Sequence, residues 1–171
     1  LIRHPAAFAS SIRRLNWRHR FSHFLNQPLL MQDHLGLFEA EIREFAEHEH
    51  DILDQAILLW RIIHHMILKY QDAHKDWFFL RHEDMSEDPL SHFEYLFKNL
   101  NLDFTEHVKT VIQDYTDSSN PTEARKDHVF TKRDSKSNVK SWKKKLTEKE
   151  IVRLRTGVED ISKAFYSDED W

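Results

Sequence analysis

An arginine, a proline and a serine near the start of the chain have the spacing of a phosphate-binding site. The segment Leu1-Ile2-Arg3-His4-Pro5 runs directly into a stretch that contains Ser11. Its apolar residues predict the end of a buried strand, and Pro5 suits the first position of a following helix, where its missing N–H has no partner to lose. Arg3 would then lie at the carboxyl end of a strand, where open α/β sheets bind ligands. A guanidinium and a hydroxyl beside a helix start can hold a phosphate.

The same residues also have an ordinary structural interpretation. Arg3 can be a surface arginine and Ser11 a small helix residue, since arginine is only one recurrent phosphate binder. Residues 125–145 are basic and residues 39–54 are acidic. The basic stretch lacks the interleaved aromatic residues of a nucleic-acid surface. We therefore favour binding of a single nucleotide phosphate over binding of nucleic acid. The acidic face of a helix over 39–50 is either a solvated surface or the border of a pocket for a cationic or polyhydroxyl acceptor.

Composition limits the chain to a few classes of protein. It has 171 residues, 40% of them hydrophobic, and a formal net charge of −4. The length suits one domain, and no global positive field would attract nucleic acid or an anionic membrane. The sequence contains no Cys, which excludes disulfides, a thiolate nucleophile and Cys-bound zinc. Without Cys, a signal peptide or an apolar stretch of bilayer length, the chain is predicted to be cytoplasmic and outside the membrane.

Histidine is abundant, with 13 copies, and raises the question of a metal. His48 and His50, and again His64 and His65, lack the i, i+4 spacing that places two ligands on one helix face. We therefore predict packing or solvated histidines and no metal site.

Apolar periodicity predicts a mostly helical segment of an α/β protein. Residues 52–72 are apolar nearly all round, which is typical of a central, buried helix. The run over 77–80 predicts a strand buried on both faces of a parallel sheet. Asp88 with Pro89 predicts one helix start, and the capping box of Thr147 and Glu150 predicts another. The remaining apolar stripes are Phe8, Ile12 and Leu15; Leu35, Phe38, Ile42 and Phe45; Leu90, Phe93, Phe97 and Leu100; Val108, Val111, Ile112 and Tyr115; and Leu154, Val158 and Ile161.

Three segments carry a resemblance when they are taken in order. They are residues 1–5 with Ser11, residues 79–89 (FLRHEDMSEDP), and residues 137–143 (SNVKSWK) followed by Leu146-Thr147. Together they resemble the downstream half of the sulfotransferase family, over nearly the whole chain. The resemblance implies a P-loop-like, three-layer α/β fold with a central parallel sheet. It also implies transfer of a sulfuryl group from 3′-phosphoadenosine 5′-phosphosulfate to a hydroxyl or amine acceptor.

The resemblance assigns nucleotide-binding residues. Arg3 and Ser11 match the pair that holds the 3′-phosphate of the nucleotide. The segment before Trp142 matches the loop that closes over it, where the candidates for the same phosphate are Arg133, Lys136 and Lys140. That loop lacks the glycines usual in the family, so the choice among the three stays open. His82 stands where cytosolic members often have a tyrosine near the adenine.

Other features of the family do not occur in the sequence. No Gly-rich phosphate loop with Lys and Ser/Thr is found, and no catalytic base is identified. Both are expected upstream of Leu1, so residues 1–171 are expected to be the C-terminal portion of one sulfotransferase domain and to lack turnover alone. The acceptor, a small molecule, carbohydrate or lipid, and the oligomeric state are not specified. Two alternatives remain open: a P-loop protein similar to nucleotide kinases, and a non-catalytic helical interaction module on the same scaffold.

Overall fold

Helices dominate the chain, as the apolar stripes predict. The computed structural model describes residues 1–122 and 132–171, so residues 125–131 of the predicted basic stretch lie outside the described residues. The α-helices are α1 (Pro5–Leu15), α2 (Ser22–Leu25), α3 (Pro28–Leu30), α4 (Glu39–Glu47), α5 (Ile52–Ala73), α6 (His82–Glu87), α7 (Pro89–Asn99), α8 (Glu106–Thr116), α9 (Ser135–Val139) and α10 (Glu148–Ser162). A π turn (Met31–Leu35) and 3₁₀ turns (Gly36–Phe38, Ser141–Lys144, Asp168–Asp170) complete the set.

The chain divides into two compact units. The core unit consists of residues 2–79 and 145–171, and the small unit consists of Leu1 with residues 80–144, of which 123–131 are not described. In the core unit α1, α5 and α10 pack against one another, and α2 packs against α4. In the small unit α6 packs against α7 and α9, and α7 packs against α8.

The long helix α5 is the centre of the core unit, which confirms the predicted buried helix. Trp60 is 0% exposed, and the predicted stripe of α10 is buried as well. Arg61 extends from the outer side of α5 and donates to Glu41 of α4 at 2.6 Å and to Asp160 of α10 at 2.9 Å. The apolar packing and these two ion pairs together hold α4, α5 and α10 in register.

The capping box at the start of α10 is formed as predicted. The Thr147 hydroxyl accepts from the Glu150 N–H at 3.3 Å, and the Glu150 carboxylate accepts from the Thr147 N–H at 2.8 Å. Arg13 of α1 reaches the same carboxylate at 2.5 Å and also donates to the carbonyl of Lys145. A local capping motif is therefore tied to a neighbouring helix.

The predicted strand over 77–80 is not formed. Trp77 is 50% exposed and Phe78 is 39% exposed. The Trp77 ring stacks on His74, just past the end of α5, with centroids 4.2 Å apart. The side chains of a short apolar run can pack in a paired strand or against neighbouring aromatic rings. Hydrophobic periodicity does not distinguish these two conformations. Across the described residues only single bridge positions occur, at Ile2 and Arg81, so the central parallel sheet remains a prediction.

Two helix predictions need correction. The helix predicted through Leu35 and Phe45 is broken into the π turn, a 3₁₀ turn and α4, although Leu35, Phe38 and Ile42 are all buried as predicted. The stripe predicted for α7 is only half-buried, and Leu100 at its end is 48% exposed. In the first case the backbone departs from helical geometry at Leu35 and Phe38, without moving the apolar face. In the second, the small unit provides too little apolar cover.

Within the described part of the chain, no helix combines the length and the apolarity needed to cross a bilayer.

Candidate functional site

The structure brings Arg3 and Ser11 into direct contact. The Arg3 Nη2 donates a hydrogen bond to the Ser11 Oγ at 3.1 Å, and both side chains are half-buried. Ser11 lies on α1, and Arg3 lies just before that helix begins. The pair thus forms one polar patch, made of a cation and a hydroxyl, beside the start of α1.

Local capping explains why the chain turns into α1 at this point. Pro5 occupies the first helical position, and the Ala6 N–H donates to the Nδ1 of His4 at 3.2 Å. His4 is buried, and its ring meets the ring edges of Tyr166 and Trp171 at centroid distances of 4.9 and 4.6 Å. An imidazole thus performs the N-cap role more often taken by Ser, Thr, Asp or Asn. The residue next to Arg3 is therefore fixed by a cap and by two aromatic contacts.

Trp60 contacts the backbone of Arg3, which the sequence analysis did not predict. Its Nε1–H donates to the Arg3 carbonyl oxygen at 2.9 Å. The His64 ring stacks on the Trp60 indole at 3.8 Å between centroids and 16° between planes. Trp60 was identified only as a core residue. The available signal was its N–H group, because an indole buried in a helical core needs an acceptor.

His64 is a neutral core residue. Burial lowers its pKa to about 4, so the ring carries no charge at neutral pH. The Nδ1 lies 2.8 Å from the Trp60 carbonyl oxygen. Because a carbonyl only accepts, Nδ1 carries the proton of the neutral ring. Across the described residues no cluster of three His, Asp or Glu side chains has the geometry of a metal site.

The small unit contains a pocket of about 370 Å³ beside α6 and α9. Ser135, at the first position of α9, donates its hydroxyl proton to the Ser86 carbonyl oxygen of α6 at 2.8 Å, which ties the two helices that form the wall. Arg133 is half-buried in this wall, and His82 also lines the pocket. The remaining lining residues are Leu1, Met85, Ser86, Phe93, Tyr115, Thr116, Ser135 and Asn138.

The three basic candidates of the closing loop differ in their surroundings. Arg133 belongs to the pocket wall, and its backbone N–H donates to the Tyr115 carbonyl at 3.0 Å. Lys136 lies on α9 and Lys140 immediately follows it, and both are exposed. Asp134 caps α9 through the Ser137 N–H at 3.0 Å, and hydrogen bonding from Ser137 lowers the pKa of this carboxyl. The structure therefore separates one half-buried arginine from two exposed lysines.

The acidic pair after residues 77–80 has a structural role. Glu83 is buried in the first turn of α6. The Asp84 carboxylate lies 3.5 Å from the Arg81 Nε, one helical turn away. An ion pair within a single turn stabilises the start of α6 and does not provide two converging acid and base groups.

Comparison with known proteins assigns the family. No curated protein and no solved structure shows significant similarity to the chain. A family model described as the sulfotransferase domain matches residues 3–165. This match includes Arg3, Ser11, His82 and Arg133 and the whole of α10. The chain therefore belongs to the sulfotransferase domain family, whose members transfer sulfuryl groups.

Proposed function

We propose that this sulfotransferase chain uses 3′-phosphoadenosine 5′-phosphosulfate as its donor, and that Arg3 and Ser11 bind the 3′-phosphate. The observation that carries the proposal is the 3.1 Å contact between these two side chains, eight residues apart in sequence. When bound, the donor supplies the sulfuryl group that passes to a hydroxyl or amine acceptor. The part of this chain is to bind and orient the nucleotide end of the donor.

The chemistry of the pair suits a phosphate. A guanidinium presents five N–H donors in a planar fork, and one of them donates to Ser11 here. Ser11 accepts that bond through its oxygen, and its hydroxyl proton remains able to donate. Half-burial strengthens such charge-assisted hydrogen bonds relative to open solvent. Both side chains can therefore donate to one anionic oxygen group.

Among the basic residues of the closing loop, we propose that Arg133 is the one that binds a nucleotide phosphate. It is half-buried in the pocket wall, whereas Lys136 and Lys140 are exposed and more strongly screened by salt. The two lysines then add a general positive field. The sequence has two glycines and no Gly-rich phosphate loop, so no residue is assigned to the 5′-phosphosulfate or to removal of the acceptor proton.

A binding experiment tests the 3′-phosphate assignment. We expect calorimetry on the 171-residue chain to show tighter binding of 3′-phosphoadenosine 5′-phosphate than of adenosine 5′-phosphate. Arg3→Ala should weaken the first ligand more than tenfold, because a lost charge-assisted contact is worth about 1.5–3 kcal/mol. The second ligand, which lacks the 3′-phosphate, should be little affected. Arg3→Lys should recover only part of the loss, because an ammonium lacks the planar fork.

Arg14 provides the matched control for charge. It is exposed on the same helix as Ser11, so Arg14→Ala removes one positive charge without touching the patch. Equal binding of the two nucleotides by the parent chain would contradict the proposal. An equal loss in Arg14→Ala and Arg3→Ala would reduce it to a general charge effect.

A transfer assay addresses the acceptor class. Labelled sulfate on the donor is offered with phenols, sugars and hydroxylated lipids, and the product that carries the label identifies the acceptor. Turnover by residues 1–171 would place a base within this chain. Tight nucleotide binding that never leads to labelled product would instead favour a non-catalytic module on the same scaffold.

A further inference from the structure

Trp60 donates a hydrogen bond to the backbone of Arg3, the residue that we assign to the phosphate. It lies near the middle of α5 and is fully buried, yet its Nε1–H donates to the Arg3 carbonyl oxygen at 2.9 Å. A buried indole N–H needs an acceptor, but any carbonyl of the core would satisfy it. The acceptor found here belongs to the backbone unit from which the Arg3 side chain departs.

The indole itself is held in one orientation. His64, one turn further along α5, stacks on it at 3.8 Å and 16°, and the His64 ring meets the edge of Phe165 at 5.6 Å. The Trp60 N–H vector is thereby fixed before any ligand arrives. On the other side of the peptide, His4 is fixed by its cap to Ala6. The Arg3 backbone is therefore held by a side chain of α5 on one side and by the start of α1 on the other.

Both members of the phosphate patch are thus positioned by the same helix, α5. Ser11 lies on α1, which packs directly against α5. Arg3 is tied to α5 through Trp60. A guanidinium that starts from a fixed backbone loses less conformational freedom when it binds, and this pre-organisation adds affinity without a new ligand contact.

We infer that Trp60 is a positioning residue for 3′-phosphate recognition, acting through its indole N–H on the Arg3 carbonyl. This inference rests on the proposed function. It goes further by assigning a specificity role to a core residue that does not touch the nucleotide. Removing the N–H lets the Arg3 backbone move, so the preference for a nucleotide with a 3′-phosphate falls while binding of the remainder of the nucleotide is retained.

The experiment compares two ligands across matched variants. Trp60→Phe keeps an aromatic ring against His64 and removes the donor. Leu58→Ala, on the same helix and equally buried, damages the core without touching Arg3. Calorimetry well below the melting temperature measures both 3′-phosphoadenosine 5′-phosphate and adenosine 5′-phosphate for each protein. We expect Trp60→Phe to lose about three- to tenfold in affinity for the first ligand, the scale of one neutral hydrogen bond, and less than about twofold for the second.

The outcomes distinguish the positioning role of Trp60 from the 3′-phosphate binding on which it depends. An unchanged ratio of the two affinities in Trp60→Phe, with the parent chain still preferring the 3′-phosphate, overturns the positioning role alone. An equal change of that ratio in Leu58→Ala also overturns it, because core damage would then be the cause. A parent chain with no preference overturns the proposed function and this inference with it.

A measurement on the unmodified chain covers the case in which Trp60→Phe does not fold. The indole N–H signals of the ¹⁵N-labelled protein are followed by NMR as 3′-phosphoadenosine 5′-phosphate is added, and then as adenosine 5′-phosphate is added. The Trp60 signal should shift with the first ligand and not with the second, whereas exposed Trp17 should shift with neither. A Trp60 signal that ignores both ligands, while calorimetry shows binding, contradicts the inference.

Discussion

The two units bury their apolar side chains to very different degrees. In the core unit several large side chains are fully buried, among them Trp60, Phe21 and Phe38. In the described residues of the small unit, the buried apolar side chains are Ile112, Val139 and Trp142. Several large apolar side chains of that unit remain exposed: Tyr95, Leu100, Leu102, Val111 and Tyr115.

This difference bears on the proposed nucleotide contacts. Arg3 and Ser11 belong to the core unit, whereas Arg133 and the two lysines belong to the small unit. Segments with few buried apolar contacts open locally at lower free energy than a packed core. The proposed contacts of Arg3 and Ser11 therefore belong to the well-packed unit, and those proposed for the closing loop belong to a part of the chain whose order a ligand can still increase.

The largest expected effect comes from a matched pair of phenylalanines. Phe38→Ala should lower the free energy of unfolding by about 3–5 kcal/mol, since Phe38 is fully buried in the core unit. Trp60→Ala falls in the same range for the same reason. Phe97→Ala, at a half-buried position of α7, should cost less than about 2 kcal/mol. Urea unfolding measures all three.

Equal losses at Phe38 and Phe97 would show that the small unit is as firmly packed as the core unit. The comparison of the two units would then fail. Hydrogen exchange offers an independent check, because amides of α7 and α8 should exchange faster than those of α5.

The elements that a local pattern specifies were the predictable ones. The buried helix, the α10 stripe and the Thr147 and Glu150 capping box follow from 3.6-residue periodicity and from a motif that involves neighbours in sequence. The apolar run over 77–80 failed because a continuous hydrophobic stretch carries no period. In the structure the Trp77 ring of this run stacks on His74 and no strand forms.

The candidate site was predictable as residue types but not as a geometry. Arg3 and Ser11 were identified from their spacing and from a family resemblance, and the structure brings them together. The contact from Trp60 lies 57 residues away in sequence and depends on how α5 packs, which no local pattern encodes. In the same way, burial distinguishes Arg133 from Lys136 and Lys140, although all three have the same charge sign.

The next largest effect is a pH dependence that the core unit imposes through His64. Burial lowers the pKa of His64 from 6.5 to about 4. Between these two pH values the unfolded chain therefore binds a proton at this residue and the folded chain does not. The free energy of unfolding is then highest above pH 6.5, the ordinary pKa of histidine. It falls by up to about 3 kcal/mol as the pH drops toward 4. His64→Phe keeps a ring against Trp60 and should flatten that part of the profile.

An exposed histidine of the small unit supplies the comparison. His107 lies exposed on α8, and His107→Phe should leave the pH profile of the parent chain in place. Unfolding free energies between pH 4 and 7 measure both variants. A profile in His64→Phe that still declines like that of the parent would mean that another group causes the acid sensitivity.

Close packing of α5 against α10 predicts a smaller effect at Gly157. An added Cβ would lie 2.9 Å from the Cδ1 and Cγ2 of Ile57, which is too close for ordinary contact. Gly157→Ala should therefore destabilise the chain by about 1–2 kcal/mol, because overpacking exceeds the gain in helix propensity. At Gly36 the nearest atom to an added Cβ is the Met31 carbonyl oxygen at 3.7 Å, so Gly36→Ala should be neutral or stabilising. Thermal unfolding compares the two, and Ile57→Val, which removes Cδ1 but keeps Cγ2, should rescue Gly157→Ala only in part.

The smallest effect concerns two capping carboxylates, one in each unit. The Thr147 N–H and the Arg13 guanidinium lower the pKa of Glu150, and hydrogen bonds from Ser91 lower the pKa of Asp88. Each folded pKa lies below its ordinary value, so each group stabilises the chain above that value and loses its contribution as the pH falls through the folded pKa. Glu150→Gln and Asp88→Asn retain a capping oxygen and remove only the charge.

The two substitutions should differ because only Glu150 is tied to a second helix. Glu150→Gln removes the ion pair to Arg13 and should cost at most about 1 kcal/mol at pH 7, with the difference from the parent shrinking as the pH falls through the lowered pKa of Glu150. Asp88 is exposed at the start of α7, so Asp88→Asn should change stability less over the same range. Urea midpoints at pH 7 and pH 3 measure both. A larger loss of stability for Asp88→Asn would mean that the charge at the start of α7 contributes more to the small unit than its apolar packing does. The difference in burial would then not determine the stability of the two units.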